Sequence, residues 1–194
     1  MNIISNNCTT GFLYRNIGIQ FNNPFFWNLI SAEDYTNLIL NFNYIDFNNT
    51  EFQLSDAGWV YVMIDHKIRV NYIHCKYKSG SKTERIGFDI FSDDPIYYAK
   101  TKYINRLERM RLSNERALFF ICEDITPNVD TVTNKNVTDV LNKLRDKGCK
   151  EQISLFTHKL MDIENYKNLN LKLYYPPDLY VGHLADWIVY NRFN

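Results

Sequence analysis

The chain has little of what usually announces a function. Its four cysteines, Cys8, Cys75, Cys122 and Cys149, form no Cys-x-x-Cys pair. Their scatter excludes a zinc framework or a disulfide scaffold, so they read as buried free thiols in a reducing compartment. No Gly-Lys-Ser/Thr follows a glycine-rich turn, and the three-glycine spacing of a dinucleotide site is missing, which excludes both phosphate-loop signatures. Charge of one sign is lacking too. Lys+Arg and Asp+Glu number 22 each, so no excess of cations favours a nucleic-acid or anionic-membrane partner. No charged-then-apolar leader opens the chain. No apolar run nears the roughly 20 residues needed to span a bilayer. The expectation is a cytoplasmic protein without membrane insertion.

Aromatics are abundant. Fourteen Tyr, 13 Phe and 3 Trp supply large side chains for a core and argue against disorder. A chain of 194 residues can bury about 70% of its unfolded surface, and nothing marks an internal boundary. We expect one domain over residues 1–194.

Asn2-Ile3-Ile4-Ser5 reads as a short buried strand running into a polar turn, Asn6 to Gly11. Ser31 with Asp34 three residues on predicts a capped helix whose apolar face is Tyr35, Leu38, Ile39 and Phe42. Residues 41–56 read as a polar loop with room for a short extended piece. Trp59–Ile64 and the alternating Ile68–His74 predict a hairpin turning at Asp65-His66-Lys67. Arg85–Phe91 suggests a further strand. Asp94-Pro95 predicts the start of a helix along Ile96, Ala99, Tyr103, Leu107 and Met110. Ala117–Cys122 is the plainest buried strand. A polar loop over residues 126–136 and a helix capped by Thr138 and ended by Gly148 come after it. A strand at Gln152–Thr157, a weak helix over 159–167, a strand at Leu171–Tyr175 and a helix at Leu184–Tyr190 complete the chain. Strands alternating with helices predict an α/β fold: a mixed, mostly parallel sheet with helices on both faces and a β-hairpin in the first half.

Four of these strands end in hydrogen-bonding or titratable residues: Asn6-Asn7-Cys8, His74-Cys75, Glu123-Asp124 and His158. In open α/β sheets ligands bind beyond the carboxyl ends of parallel strands. If the four strands are parallel neighbours, their ends share one crevice. Cys8 and His74 are then a candidate nucleophile and base. Asp124, with Glu123, is a candidate for a divalent cation carried on a diphosphate. Asn6, Asn7 and Gly11, with Thr9 and Thr10, could form an anion nest. Arg106 and Arg109 fall off the apolar stripe of their helix. They are either a solvated basic face or phosphate partners, together with Arg15.

Ile3-Ile4-Ser5-Asn6-Asn7-Cys8 followed by Gly11-Phe12-Leu13-Tyr14 resembles the opening signature of an uncharacterised bacterial family whose members are labelled exopolysaccharide-biosynthesis or capsule-locus proteins. Pro24-Phe25, Asp34-Tyr35, Ile73-His74-Cys75, Arg106 to Met110 and Phe119 to Asp124 resemble its later motifs. Residues 78–91 look like an insertion beside the His-bearing strand. The resemblance implies an α/β fold and a setting in surface-glycan synthesis, and it supports Asn6, Asn7, Cys8, His74 and Asp124 as site candidates. The expectation is a transferase acting on a sugar-linked or nucleotide-linked small molecule, with His74, Cys8 and Asp124 catalytic. Asn6, Asn7, Gly11, Arg15, Arg106 and Arg109 would bind substrate, and a divalent cation could assist. The alternative is a glycan-binding or accessory subunit without catalysis.

Overall fold

The structure is a computed structural model that describes residues 2–125 and 130–192. It is an α/β fold in which the strands divide between two sheets. In the first, β1 (Asn2–Ser5), β8 (Ala117–Cys122), β9 (Gln152–Phe156) and β10 (Asn170–Tyr174) lie side by side in that order, all parallel. The second is mixed. It runs β3 (Thr50–Leu54), β4 (Trp59–Ile64), β5 (Ile68–Tyr77), β7 (Asp89–Ser92) and β6 (Glu84–Ile86), with the two-residue β2 (Leu29–Ile30) also on β5.

The period of two along the parallel strands feeds two cores. Ile4, Phe119, Ile121, Ile153 and Leu155 face the helices α2 (Ala32–Asn41) and α4 (Val137–Asp146). Ile3, Leu118, Phe120, Cys122 and Phe156 face α1 (Thr9–Asn16) and α5 (Val181–Arg192). Helices therefore cover both faces, and each β8 side chain is buried because each side of the strand has a core to join. The mixed sheet shares the first core. There, α3 (Pro95–Ser113) lays Ala99, Tyr103 and Leu107 against it.

The helix starts reflect local chemistry. Ser31 accepts the Asp34 amide at 3.0 Å, and Asp94 accepts the Tyr97 amide at 3.0 Å with Pro95 in the first turn. The hairpin between β4 and β5 turns on Asp65 and His66, both at positive φ, with the Lys67 amide donating to the Ile64 carbonyl.

Several expectations need correction. The stretch after β1 is helix from Thr9, not a polar turn through Gly11. Residues 50–54 form β3, an extended piece within the stretch read as polar loop. Asn136, not Thr138, precedes α4; its carboxamide receives the Thr133 amide and donates to the Thr131 carbonyl. Only a 3-10 turn, Ile163–Tyr166, forms within 159–167. The segment 84–92 is a hairpin, β6 and β7, rather than one strand. Of the polar loop expected over 126–136, residues 126–129 lie outside the described residues. Among the described residues no helix is long and apolar enough to cross a membrane.

Two features fix how the sheets meet and where His74 points. The Ile30 amide donates to the Asn6 carbonyl at 2.9 Å, which ties the end of β1 to β2 and so to β5. The β4–β5 ladder also slips. Val60 pairs with Tyr72, yet the preceding Trp59 pairs with Lys76. Residues 73–75 are extra to the ladder, and His74 sits in that bulge. Bulges of this kind re-aim a side chain out of its strand's alternation.

Candidate functional site

The expected crevice at the ends of the parallel strands forms in part. β1, β8 and β9 are parallel neighbours, so Asn6, Asn7, Cys8, Glu123, Asp124 and His158 come after strands that end side by side. Most of their polar groups serve structure. Asn6 is fully buried and grips the Cys122 backbone twice: Nδ2 donates to the carbonyl at 2.9 Å, and Oδ1 accepts the amide at 2.8 Å. Asn7 Oδ1 accepts the Thr9 amide at the start of α1. The buried Glu123 carboxylate accepts from Thr157 Oγ1 at 2.5 Å and from the His158 amide at 2.9 Å. Thr131 Oγ1 donates to Asp124 Oδ2 at 3.3 Å.

The Cys8 thiol donates to the Asn28 carbonyl. Burial and, secondarily, the Asp124 carboxylate push it up to about 12, far from the thiolate a nucleophile needs. His74 is not its partner. Among the described residues no group of three or more His, Cys, Asp or Glu side chains is placed to hold a metal ion.

His74 lines a different place, a cleft between β5, the loop carrying Phe21 and Trp27, the β6–β7 hairpin and α3. The cleft holds about 220 Å³. None of Asn6, Asn7, Cys8 or Asp124 lines it.

Trp27 is its floor. The backbone of Trp27 takes φ 59°, a left-handed conformation that a bulky residue rarely adopts and that recurs at functional sites. Its ring meets Phe12, Phe88 and His74 at centroid distances of 5.0, 5.3 and 6.0 Å. It lies over α1 at Gly11. Gly11 therefore leaves the packing space that the Trp27 ring occupies.

His74 Nδ1 lies 2.8 Å from Asp89 Oδ1, and Lys76 Nζ lies 2.7 Å from Asp89 Oδ2. Partial burial of Asp89 opposes its ionisation, but the hydrogen bonds from Lys76 and His74, helped by their charges, hold its carboxyl below the usual range. An ionised carboxylate only accepts. Nδ1 therefore carries the proton in this contact, and in the neutral imidazole the lone pair is on Nε2, the arrangement of an oriented general base.

Arg106 reaches in from α3. Its guanidinium stacks 5.3 Å from the Phe21 ring centroid and 5.7 Å from that of Phe26. Burial lowers its pKa, the Tyr72 and Tyr98 hydroxyls oppose the shift, and neighbouring Arg109 adds to it. Among the described residues it has no carboxylate partner. Arg85 and Lys102 also line the cleft, and among the described residues no Asp or Glu does. Arg109 is occupied elsewhere, its Nε donating to the Phe21 carbonyl at 2.7 Å, so it positions the Phe21 wall. Arg15 stacks over Phe88 at 5.3 Å and lines an adjoining hollow.

Asp89, Phe88, Arg85 and the special place of Trp27 do not stand out in the sequence. Three of the four come from the segment that looks like an insertion. The one available signal is Gly87 followed by Phe88 and Asp89, which any hairpin turn could carry.

Residues 1–144 match the family model described as a domain of unknown function, DUF1919. The chain belongs to that family. No curated protein matches the chain. The matched range includes all of the cleft.

Proposed function

We propose that this cleft binds a phosphorylated, ring-bearing small molecule and that the protein is a transferase acting on a sugar-linked or nucleotide-linked substrate. The observation that carries the reading is Arg106: a half-buried guanidinium on two aromatic rings, without a carboxylate among the described residues, in a cleft also lined by Arg85 and Lys102. Guanidinium groups in such surroundings suit phosphate oxygens, which they bind bidentately. A chain of zero net charge has gathered cations here, which raises the local concentration of an anionic substrate.

The chemistry is set by the groups facing the cleft. An acceptor hydroxyl gives its proton to His74 Nε2 while its oxygen bonds to the donor carbon. The bond from that carbon to the phosphate oxygen breaks, and the electron pair stays on the phosphate, whose charge Arg106 and Lys102 meet. Asp89 fixes the imidazole and steadies it once protonated. Trp27 and Phe88 offer flat surfaces to a sugar or a base. The likeness of the opening motif to capsule-locus proteins favours a place in surface-polysaccharide assembly. The aromatic floor also fits a second reading, an accessory glycan binder, which would bind the same ligands without turnover.

The test is a thermal-shift panel of sugar phosphates, nucleotides and sugar nucleotides, with and without Mg²⁺. A ligand at 100 times its Kd adds about 2.7 kcal/mol, several degrees for a domain of this size. We expect a shift with phosphorylated probes that Arg106→Ala removes and His74→Ala largely keeps, while His74→Ala abolishes turnover. No shift with any phosphorylated probe, or an undiminished shift in Arg106→Ala, would overturn the reading.

A further inference from the structure

The cleft does not end at Trp27. A second hollow of about 430 Å³ lies beside it, and the two share Phe21, Trp27 and Arg85. Arg15 stands in the second hollow, Arg106 and Lys102 in the first, and Arg85 at the waist. Among the described residues no acidic side chain lines either hollow. Arg85 is tied through Nε to the Gly87 carbonyl at 3.0 Å, which fixes the base of its guanidinium while the terminal nitrogens remain for a ligand. Arg15 is held over Phe88 on the same hairpin. The β6–β7 hairpin thus sets the positions of both cations.

Resting on the phosphate-binding reading above, we infer that the substrate is a diphosphate diester lying across the shared waist at Arg85, with one ring-bearing substituent in the Trp27 hollow and the other in the Arg15 hollow. The first hollow, at about 220 Å³, falls short of the roughly 300–1,000 Å³ typical of a whole small-molecule site, whereas the two joined fall within it. A monophosphate ester would engage the Arg106 side and leave Arg15 unmet. Two linked phosphoryl groups supply an anion to each side, and their bridge places them next to the cation both hollows share. Charge-assisted bonds to a second phosphoryl group are made only by the diphosphate, so the preference is set by Arg15 and Arg85.

The experiment is calorimetric titration of the full chain with uridine monophosphate, uridine diphosphate, a uridine diphosphate sugar, inorganic phosphate and inorganic pyrophosphate. It is repeated in Arg15→Ala and in Arg106→Ala, each checked for a cooperative melt. We expect the diphosphates to bind at least about tenfold tighter than their monophosphate counterparts, one added charge-assisted contact being enough for that ratio. Arg15→Ala should collapse the ratio, and Arg106→Ala should weaken both classes. Equal affinity for mono- and diphosphates, still sensitive to Arg106→Ala, would overturn the diphosphate inference and leave the phosphate site standing. A ratio unchanged in Arg15→Ala would also overturn it. No binding by any of the five probes would overturn both.

Discussion

Trp27 rests on Gly11 in a space that only glycine leaves open. A Cβ on residue 11 would meet three ring carbons of Trp27 at 2.8 to 3.0 Å, closer than such atoms pack. The opening motif of the chain and the floor of the cleft are therefore one construction, although Gly11 does not line the cleft.

Gly11→Ala forces the Trp27 ring to move. Overpacking of this kind costs about 1–3 kcal/mol, and the displaced ring drags His74 and Phe88, its ring neighbours. We expect a lower midpoint in urea, together with weaker binding of phosphorylated probes. Wild-type stability and affinity in this variant would show that the contact is not needed.

Asn6 replaces a stretch of β-ladder. Its carboxamide closes both hydrogen bonds to the Cys122 backbone where β1 has ended. Asn6→Ala leaves a buried amide and a buried carbonyl without those partners, at about 1–3 kcal/mol each. Chemical denaturation should show that loss. Asn6→Asp should cost at least as much at neutral pH, because it sets a buried carboxylate oxygen against the Cys122 carbonyl.

The thiols should be inert. Cys8, Cys75 and Cys122 are each pushed up to about 12, in each case chiefly by burial. With such a pKa only about one thiol in 10⁴ is ionised at pH 8, and burial blocks reagents as well. Native protein should release almost no chromophore from a disulfide reagent, and all four cysteines should react in denaturant. Cys8→Ala should keep probe binding and turnover. Rapid labelling of Cys8 in native protein would make it a candidate nucleophile again.

Asp89 predicts an acid-side effect of known sign. Its folded pKa lies below the unfolded value of about 3.9. Its contribution is therefore fully present above that value and is lost as pH falls through the folded pKa. The stability gap between wild type and Asp89→Asn should be present above about pH 4 and should narrow as pH falls below it. Activity should also separate the variants, since Asp89→Asn no longer fixes the His74 tautomer. A gap that widens in acid would contradict the assignment.

Much of the fold was legible because the relevant signals are local. Ser31 with Asp34, Asp94 with Pro95, and the apolar run of Ala117–Cys122 each state their element within a few residues. The helix at Thr9–Asn16 was hidden because Thr9, Thr10 and Gly11 are poor helix formers. It stands because Leu13 and Tyr14 are buried in the core shared with Leu184, Ala185 and Ile188. The partition into two sheets depends on pairings made far apart in sequence, such as Asn2 with Ala117. The site divided for the same reason. Asn6, Asn7, Cys8 and Asp124 do gather at one sheet edge, but His74 belongs to the other sheet and is turned by a bulge that composition does not reveal. Arg106 was visible as a cation off its helix stripe. Its desolvation became visible only once Phe21 and Phe26 closed over it.

The most direct measurement is a crystal structure of the chain with a uridine diphosphate sugar. The account predicts phosphate density between Arg106 and Arg85, with a ring of the ligand against Trp27 and an acceptor path open to His74 Nε2. Density instead at the ends of the parallel strands, beside Asn7 and Asp124, would contradict it and move the site to the crevice those strands share.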